Sequence, residues 1–273
     1  MTAARATAAP PDKAAPPDRR PSLDRERRLW KEGHAVVAGL DEVGRGAWAG
    51  PVSVGVAVVR TGCRRNGLPR WLRDSKLLPE ARREDIFDAV ARWCADWSVG
   101  HASAAECDLF GMTAALRLAS YRALAGLGVR PDALILDGPL NYLAERPLRE
   151  WPGEPSPALP LEWAEVDGGP SDEGWPARDG PPPELPLPEV DPPGIVVPVV
   201  DADALCASVS AASVLAKVVR DRHMRAEAEH FPPYAFELNK GYPSPVHKTA
   251  LRGYGLSAIH RRSWAFVEGL PWR

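Results

Sequence analysis

Acidic residues stand at the ends of three predicted strands in this 273-residue sequence. Asp41 and Glu42 follow the apolar run HAVVAGL, Asp137 ends ALILD, and Asp201 and Asp203 follow IVVPVV. Ligands of open α/β sheets gather at the carboxyl ends of the strands, so we expect these acids to meet there. Clustered carboxylates repel one another, and a hard divalent cation such as Mg²⁺ would remove that conflict. The pattern therefore predicts a divalent-metal site suited to phosphodiester hydrolysis.

Each of these acids also has an ordinary structural explanation. Strand-end aspartates usually cap helices or turns rather than bind metals. Their convergence on one sheet edge favours the metal site. Asp41 and Glu42 impose a geometric condition, because neighbouring side chains on a strand point to opposite faces. The two can share a site only if the strand ends or bulges between them, which the glycines that follow would allow.

A glycine-flanked arginine follows the first pair of acids. Gly44-Arg45-Gly46-Ala47-Trp48-Ala49 matches the G-x-G-x-x-A pattern of dinucleotide-binding proteins, which requires a helix directly afterwards. Here Pro51 and the strand-like VSVGVAVV follow instead, and the acid expected about 20 residues further on is missing. The glycines are better explained by a close approach of backbone amides to a phosphate or sugar, with Arg45 beside them.

The elements that must position these residues begin with two adjacent strands and then alternate. Strands are predicted at about 35–41, 51–60, 96–102, 132–137 and 195–200. Helices are predicted at 80–97 (with Ile86, Val90, Trp93 and Trp97 on one face), from a capping box at Ser103 to about Leu127, and from Ser208 to Glu229. This order predicts an α/β domain with a mixed central sheet flanked by helices.

Two segments depart from the domain pattern. Residues 1–28 are rich in Ala, Pro and Arg without periodicity, which predicts a disordered tail before a domain at 29–273. Residues from about 146 to 194 hold 14 of the chain's 30 prolines and eleven acidic against three basic residues, a net charge of −8. Such a proline density predicts a solvated insertion without helix or strand. A sharper hypothesis is that its charge competes with nucleic acid, so that deleting residues 150–190 tightens substrate binding at low salt.

Composition excludes several other classes of protein. The net charge is −2, but the residues outside the acidic insertion sum to +6, which favours a polyanionic partner. No apolar stretch reaches the roughly 20 residues of a membrane helix, and the N-terminus has no apolar signal region. Four scattered cysteines without a C-x-x-C pair argue against a zinc site or disulfides and predict a cytoplasmic protein.

Six motifs, in order, resemble those of ribonuclease HII. They are LDEVGRGAWAGPV at 40–52, Asp74-Ser75-Lys76, LDG at 136–138, SAASVLAKVVRD at 210–221, KGYPSPVH at 240–247 and GLSAIHRRSW at 255–264. The resemblance spans residues 35 to 266 apart from the insertion. It implies an RNase H-like fold with a C-terminal helical region. It also implies an endonuclease that cuts RNA in RNA–DNA hybrids and single ribonucleotides embedded in duplex DNA, leaving 5′-phosphate and 3′-hydroxyl ends.

The resemblance further implies roles for individual residues. Its metal-binding, catalytic acids fall on Asp41, Glu42, Asp137 and Asp203, which would hold two Mg²⁺ or Mn²⁺ ions. Asp203 is preferred to Asp201 because it stands seven residues before Ser210. The substrate-binding residues fall on Gly44, Arg45, Gly46, Lys76, Lys217 and Tyr242. Among them, Gly44–Gly46, here called the GRG loop, would sense the ribose 2′-hydroxyl, and Tyr242 would stack on the deoxyribose beyond the RNA–DNA junction. No organic cofactor is implied, and we expect a monomer.

Some basic and polar residues keep two interpretations. Lys217 and Arg220 would contact phosphates, but Lys217 also stands four residues before Asp221, an ordinary stabilising pair on a helix. Ser213 would either face the nucleic acid or pack against the protein. His247 is left outside the catalytic set, as is His260, because a lone histidine is more often structural. 

Departures from the family pattern affect loops more than the site. Pro243 replaces an expected glycine and would alter the loop that presents Tyr242. Trp264 stands where phenylalanine is usual, which is most simply a packing change. The insertion separates Asp137 from Asp203 by 66 positions. Closing a longer loop costs only about 0.6 kcal/mol per doubling, so the fold should tolerate it.

Two rival functions remain open from the sequence. One is a nuclease of the same fold that cuts DNA junctions, against which the GRG loop and Tyr242 argue. The other is a nucleic-acid-binding protein without catalysis. Four retained carboxylates argue against it, because concentrated negative charge beside phosphates weakens a pure binder. Metal-dependent cleavage separates the two.

Overall fold

A five-stranded mixed sheet forms the centre of the protein. A computed structural model describes residues 20–63, 72, 78–144 and 184–270. The strands are β1 Val36–Val43, β2 Val52–Arg60, β3 Asp96–Ala102, β4 Ala133–Asp137 and β5 Ile195–Val199, in the order β3-β2-β1-β4-β5. β1 and β3 pair antiparallel with β2, whereas β1 and β5 pair parallel with β4. The predicted mixed sheet is confirmed.

Helices cover both faces of this sheet. They are α1 Asp24–Lys31, α2 Glu80–Trp93, α3 Ala104–Phe110, α4 Met112–Ala125, α5 Ala202–Leu205, α6 Ala207–His230, α7 Phe236–Asn239 and α8 Pro245–Tyr254, with 3₁₀ helices at Pro232–Tyr234 and Ala265–Gly269. One face packs against α4, and the other packs against α6 with α2 beyond it. The short helices after α6 form the predicted C-terminal helical region. In the part of the chain that the structure describes, no helix is long and apolar enough to cross a membrane.

Two predicted helices have different boundaries in the structure. The helix predicted at 80–97 ends at Trp93, and Trp97 belongs to β3, where it pairs opposite β2. The helix predicted from 103 to 127 is two helices, because Gly111 between α3 and α4 adopts a φ of +80°. An L-residue rarely adopts that conformation, so the chain turns there at a glycine.

The N-terminal helix lies partly within the range predicted as a tail. The Oε1 atom of Glu26, on α1, accepts hydrogen bonds from the backbone N–H of Ser208 at 2.9 Å and from its hydroxyl at 2.7 Å. Ser22 also exchanges backbone hydrogen bonds with the segment before α6. Residues from Asp24 onward therefore belong to the domain, while residues 1–19 lie outside the described part of the chain.

The end of the predicted insertion packs onto the domain. Residues 184–194 are described, and Leu185, Leu187 and Val190 contact the core beneath α4. Arg117 of α4 donates hydrogen bonds to the carbonyl oxygens of Tyr142 and Ala144, at the beginning of the same connection. The expectation of a solvated loop is therefore wrong for 184–190, and residues 145–183 lie outside the described ranges.

Glycines on β1 and β2 allow α6 to approach the sheet closely. A Cβ atom on Gly39 would stand 2.3 Å from the backbone nitrogen of Val209. Because this neighbour is backbone, we expect Gly39→Ala to displace α6 and to lower the free energy of unfolding by about 3 kcal/mol. Denaturant unfolding measures the loss. The control is Gly253→Ala in α8, where a Cβ meets nothing within 4 Å and should stabilise by up to about 1 kcal/mol. Equal effects of the two substitutions would contradict the close packing.

Candidate active site

The four predicted acids, here called the acidic cluster, lie at one end of the sheet. Asp41 on β1 stands beside Asp137, the last residue of the neighbouring parallel strand β4. The Oδ1 atom of Asp137 accepts the N–H groups of Ala202 at 2.7 Å and Asp203 at 3.4 Å. This contact brings the first turn of α5, and with it Asp203, to the same edge as Asp41 and Glu42.

Asp201 and Asp203 occupy different environments. Asp201 is exposed and precedes α5 with a φ of +55°. Asp203 is only 4% exposed, and its charge acts on Asp41. The structure therefore brings Asp203 into the acidic cluster and leaves Asp201 at the surface.

Asp41 is the centre of the acidic cluster and is only 5% exposed. Burial raises the pKa of this carboxyl well above its usual value, and the charges of Glu42, Asp137 and Asp203 raise it further. A hydrogen bond with Ser213 of α6 favours the ionised form and offsets part of the shift. A cation bound among these carboxylates would restore the ionised form of Asp41.

Glu42 follows Asp41 without a strand end or bulge between them. β1 keeps a regular register with β2 through Val43, so the two acidic side chains start from opposite faces. The Oε1 atom of Glu42 lies 3.7 Å from Nη1 of Arg45. Burial, followed by the charge of Glu42, raises the pKa of Tyr142 well above its usual value. The condition of a strand end or bulge is therefore not met, yet the charge of Glu42 still acts on Asp41 at this end of the sheet.

The acidic cluster suits Mg²⁺ or Mn²⁺ chemically, although its side chains are spread wider than in a closed metal site. Its four members are carboxylates, the oxygen donors that these ions prefer. No three His, Cys, Asp or Glu side chains of the described residues stand close enough together to hold an ion. The raised pKa of Asp41 marks a charge conflict that a cation would remove. The chemistry of these residues therefore fits a divalent cation.

A bound cation should change how stability depends on pH. A carboxyl whose pKa is raised by folding holds its proton more tightly in the folded state, so ionising it above about pH 4 lowers the free energy of unfolding. Without metal, Asp41 therefore costs stability as the pH rises towards neutrality, and Asp41→Asn should remove that cost. Calorimetric unfolding of both proteins across pH, in EDTA and in Mg²⁺, checks this. Identical pH profiles in EDTA would contradict the raised pKa.

Two fully buried arginines hold the loop from Gly44 to Pro51 from beneath. Arg261 donates hydrogen bonds to the carbonyl oxygens of Gly44 at 2.6 Å and Arg45 at 2.7 Å. Arg220 donates to the carbonyl oxygen of Pro51 at 2.9 Å. The predicted phosphate contact of Arg220 is therefore wrong, because its guanidinium group is buried against this loop.

Tyr242 joins the GRG loop to α6. Its hydroxyl oxygen accepts the N–H of Gly44 at 3.1 Å. Lys217 Nζ and Arg220 Cζ lie 5.7 Å and 5.4 Å from the centre of its ring. Lys217 also forms the ion pair within the helix that was its other interpretation, with Nζ 2.6 Å from Oδ1 of Asp221. The structure thus places Tyr242, Gly44 and Lys217 in one group beside the acidic cluster.

The remaining predicted substrate-binding residues differ in how far the structure describes them. Arg45 and Gly46 are exposed at the tip of the GRG loop, and a Cβ on Gly46 would meet nothing within 4 Å. Space for a ligand therefore exists beside Gly46. Lys76 lies outside the described residues.

Sequence reasoning missed two supporting residues. Ser213 is buried, in agreement with the second of its two interpretations, but its hydrogen bond to Asp41 was not foreseen. Arg261 was not singled out, although it stands in the motif GLSAIHRRSW. That motif was the available signal, because a basic residue inside a family motif warrants a search for a partner.

A mixed sheet that carries acids at the ends of two adjacent parallel strands, with a further acid on the following helix, defines a nuclease of the RNase H-like class. The family model described as Ribonuclease HII matches residues 38–148 and 194–267. The chain belongs to the ribonuclease HII family. It is therefore a metal-dependent nuclease that acts on RNA–DNA hybrids.

Individual relatives agree with this assignment. Ribonuclease HII of Streptomyces avermitilis is 42% identical over 242 residues, covering 88% of this chain and 82% of that protein. Ribonuclease H2 from Pyrococcus horikoshii OT3 superposes with a TM-score of 0.59 at 25% identity, covering 86% of this chain and 96% of that one. Bst-RNase HIII, solved in complex with Mn²⁺, shares the fold with a TM-score of 0.56 at 19% identity, covering 86% of this chain and 68% of that one.

Proposed function

We propose that this enzyme cuts duplex DNA at single embedded ribonucleotides as well as the RNA strand of longer hybrids, leaving 5′-phosphate and 3′-hydroxyl ends. One observation carries the proposal. Glu42 of the acidic cluster lies 3.7 Å from Arg45 of the GRG loop, and the neighbouring Gly44 donates to the Tyr242 hydroxyl. Groups suited to cutting a phosphodiester thus adjoin groups suited to reading the sugar beside it.

The acidic cluster is the proposed catalytic centre. Its ligands would be Asp41, Glu42, Asp137 and Asp203. Two divalent ions, Mg²⁺ or Mn²⁺, would supply an activated water and neutralise the leaving oxygen. Backbone N–H groups of α5 orient Asp137, and Ser213 favours the ionised form of Asp41. Burial of Asp41 strengthens its electrostatic interactions, because screening by water is weak there.

The GRG loop and Tyr242 are the proposed readers of the RNA–DNA junction. The 2′-hydroxyl of a ribose donates and accepts hydrogen bonds, so the exposed backbone of Gly46 can recognise it, with Arg45 alongside, while the N–H of Gly44 holds the Tyr242 hydroxyl. The Tyr242 ring would lie against the following deoxyribose, where an additional hydroxyl would obstruct it. Lys217 and Lys76 are proposed to contact phosphates and so fix the register of the duplex.

The proposed partners are RNA–DNA hybrids and DNA duplexes that contain ribonucleotides. The protein would bind them as a monomer without an organic cofactor. A cytoplasmic location is proposed from the cysteines, since Cys63, Cys94, Cys107 and Cys206 are all free thiols.

Matched duplexes test the proposed specificity. One carries a single ribonucleotide, one a continuous RNA strand, and one only DNA. We expect a cut on the 5′ side of the single ribonucleotide and none in the all-DNA duplex. Tyr242→Ala should lower kcat/KM on the single-ribonucleotide duplex by about tenfold to a hundredfold, the size of a lost stacking contact, and the continuous hybrid should lose less. Cleavage of continuous hybrids alone would contradict the role of the GRG loop and Tyr242. Cleavage of all-DNA junctions would favour the rival nuclease.

A further inference from the structure

Two buried histidines form a hydrogen-bonded relay that ends on Tyr242. The Nδ1 atom of His247 lies 2.9 Å from the carbonyl oxygen of Tyr242, and its Nε2 atom lies 2.9 Å from Nε2 of His260. The Nδ1 atom of His260 lies 2.9 Å from the backbone nitrogen of Ser257 and 2.7 Å from its hydroxyl oxygen. Both rings are fully buried, so these contacts satisfy all four ring nitrogens inside the protein.

The contacts determine which nitrogen of each ring carries the proton. The backbone N–H of Ser257 can only donate and the Ser257 hydroxyl can rotate to donate as well, so Nδ1 of His260 accepts and the proton of that ring is on Nε2. This proton points at Nε2 of His247, which must then accept. The proton of His247 is therefore on Nδ1 and is donated to the carbonyl oxygen of Tyr242. Every donor meets an acceptor only when both rings are neutral.

The surroundings of the pair keep both rings neutral. The ring centroids of Tyr234 and His260 lie 4.9 Å apart, and those of Phe236 and His247 lie 5.4 Å apart. Burial lowers the pKa of both histidines, to about 3 for His260, where His247 and Arg262 lower it further. A second proton on either ring would set two N–H groups against each other across 2.9 Å.

We infer that His247 and His260 are positioning residues that fix the backbone of Tyr242 so that its ring faces the sugar beyond the RNA–DNA junction. The inference rests on the proposed function of Tyr242. That residue is held at three points: its carbonyl oxygen by His247, its hydroxyl oxygen by the N–H of Gly44, and its backbone N–H by the carbonyl oxygen of Asn239 at 2.9 Å. Pro243, which follows, has no N–H of its own to anchor the loop. The relay supplies an anchor from α8 instead.

Three substitutions separate positioning from general stability. His247→Leu removes both hydrogen bonds, whereas His247→Asn keeps a donor near the Nδ1 position that can reach the Tyr242 carbonyl. Phe236→Leu is the control, since this fully buried ring touches both histidines without entering the relay. We expect His247→Leu to lower kcat/KM on the single-ribonucleotide duplex about tenfold, mainly through KM, as for a lost hydrogen bond to a positioned group. His247→Asn should recover most of that loss, and Phe236→Leu should cause none at temperatures where it is folded.

Coupling to Tyr242 gives a second readout. If the relay acts through Tyr242, the losses from His247→Leu and Tyr242→Ala should not add in the double variant. Additive losses in the double variant would overturn the inference. So would a loss in His247→Leu that is equal on the single-ribonucleotide and continuous-hybrid substrates and that Phe236→Leu reproduces.

Nitrogen NMR of the wild-type histidines tests the relay without a substrate. At a pH of about 6, near the usual histidine pKa, we expect a neutral Nδ1–H tautomer for His247 and a neutral Nε2–H tautomer for His260. A protonated ring or the opposite tautomers would overturn the relay. Failure of the wild-type enzyme to cut the single-ribonucleotide duplex would instead refute the proposed function, and the tautomers would still decide whether the relay exists.

Discussion

Replacing Asp41 by asparagine should lower the rate of hybrid cleavage at least about a thousandfold. The substitution removes the central charge of the acidic cluster, and charge stabilisation at a metal site is worth several kcal/mol, with about 1.4 kcal/mol for each tenfold in rate. Substrate binding should persist or tighten, because one negative charge beside the phosphates is lost. Single-turnover cleavage in Mg²⁺ and fluorescence anisotropy in EDTA measure the two effects separately.

Asp201→Asn is the matched control for this prediction. It makes the same chemical change at an exposed acid two positions from Asp203. Asparagine tolerates the left-handed conformation of that position, where φ is +55°, so the backbone should not be strained. We expect cleavage within about twofold of wild type, as for a neutral surface substitution. Retained activity in Asp41→Asn, or an equal loss in Asp201→Asn, would contradict the assignment of the acidic cluster.

Gly44→Ala should lower the free energy of unfolding by about 3 kcal/mol and nearly abolish cleavage at single ribonucleotides. The position has a φ of +85°, which an L-residue adopts only under strain. A Cβ there would stand 2.2 Å from Nε of Arg220 and 2.8 Å from the carbonyl oxygen of Pro51. Arg220 is held by that same carbonyl and cannot move aside without losing a buried hydrogen bond. The loop and the N–H that meets Tyr242 should therefore shift together.

Gly46→Ala provides the comparison for stability. A Cβ on Gly46 faces open space, so the free energy of unfolding should stay within about 0.5 kcal/mol of wild type. Denaturant unfolding gives both stabilities, and cleavage is measured well below the midpoint of thermal unfolding of Gly44→Ala. An unchanged free energy of unfolding in Gly44→Ala would contradict the predicted strain in the loop. Unchanged cleavage at single ribonucleotides would contradict the idea that the conformation of the loop is needed to recognise the sugar.

The sheet was predictable mainly because strands such as β2 and β4 are apolar runs bounded by turns. The spacing of apolar residues gave the wrong element where a helix and the next strand follow each other directly. Trp97 continues the helical spacing of Ile86, Val90 and Trp93, yet the chain turns after Trp93 and Trp97 pairs with β2. Nothing in the sequence indicated that residues 184–190 pack onto the domain. Leu185 and Leu187 contact the core that includes α4 despite the surrounding prolines. Tertiary contacts determine the conformation of such segments, and the spacing of residues along the chain does not reveal those contacts.

The acids of the site could be predicted because strand ends and family motifs mark them independently. The sequence left open whether the strand bulges between Asp41 and Glu42, and the unbroken register of β1 sends them to opposite faces. The role of Arg220 was equally hidden. A basic residue near a nucleic-acid site suggests a phosphate contact, but its partners are carbonyl groups such as that of Pro51, 169 positions away along the chain. Only the folded structure reveals that this cation is fully buried.

One measurement tests the central claim that the acidic cluster forms a divalent-metal centre beside a junction-reading loop. A DNA duplex with one ribonucleotide is incubated with wild-type protein or Asp137→Asn, in Mg²⁺, in Mn²⁺ or in EDTA, and the products are mapped. We predict one cut on the 5′ side of the ribonucleotide by the wild type in either metal, and no cut in EDTA or by Asp137→Asn. Cleavage that persists in EDTA or in the variant would contradict the metal centre.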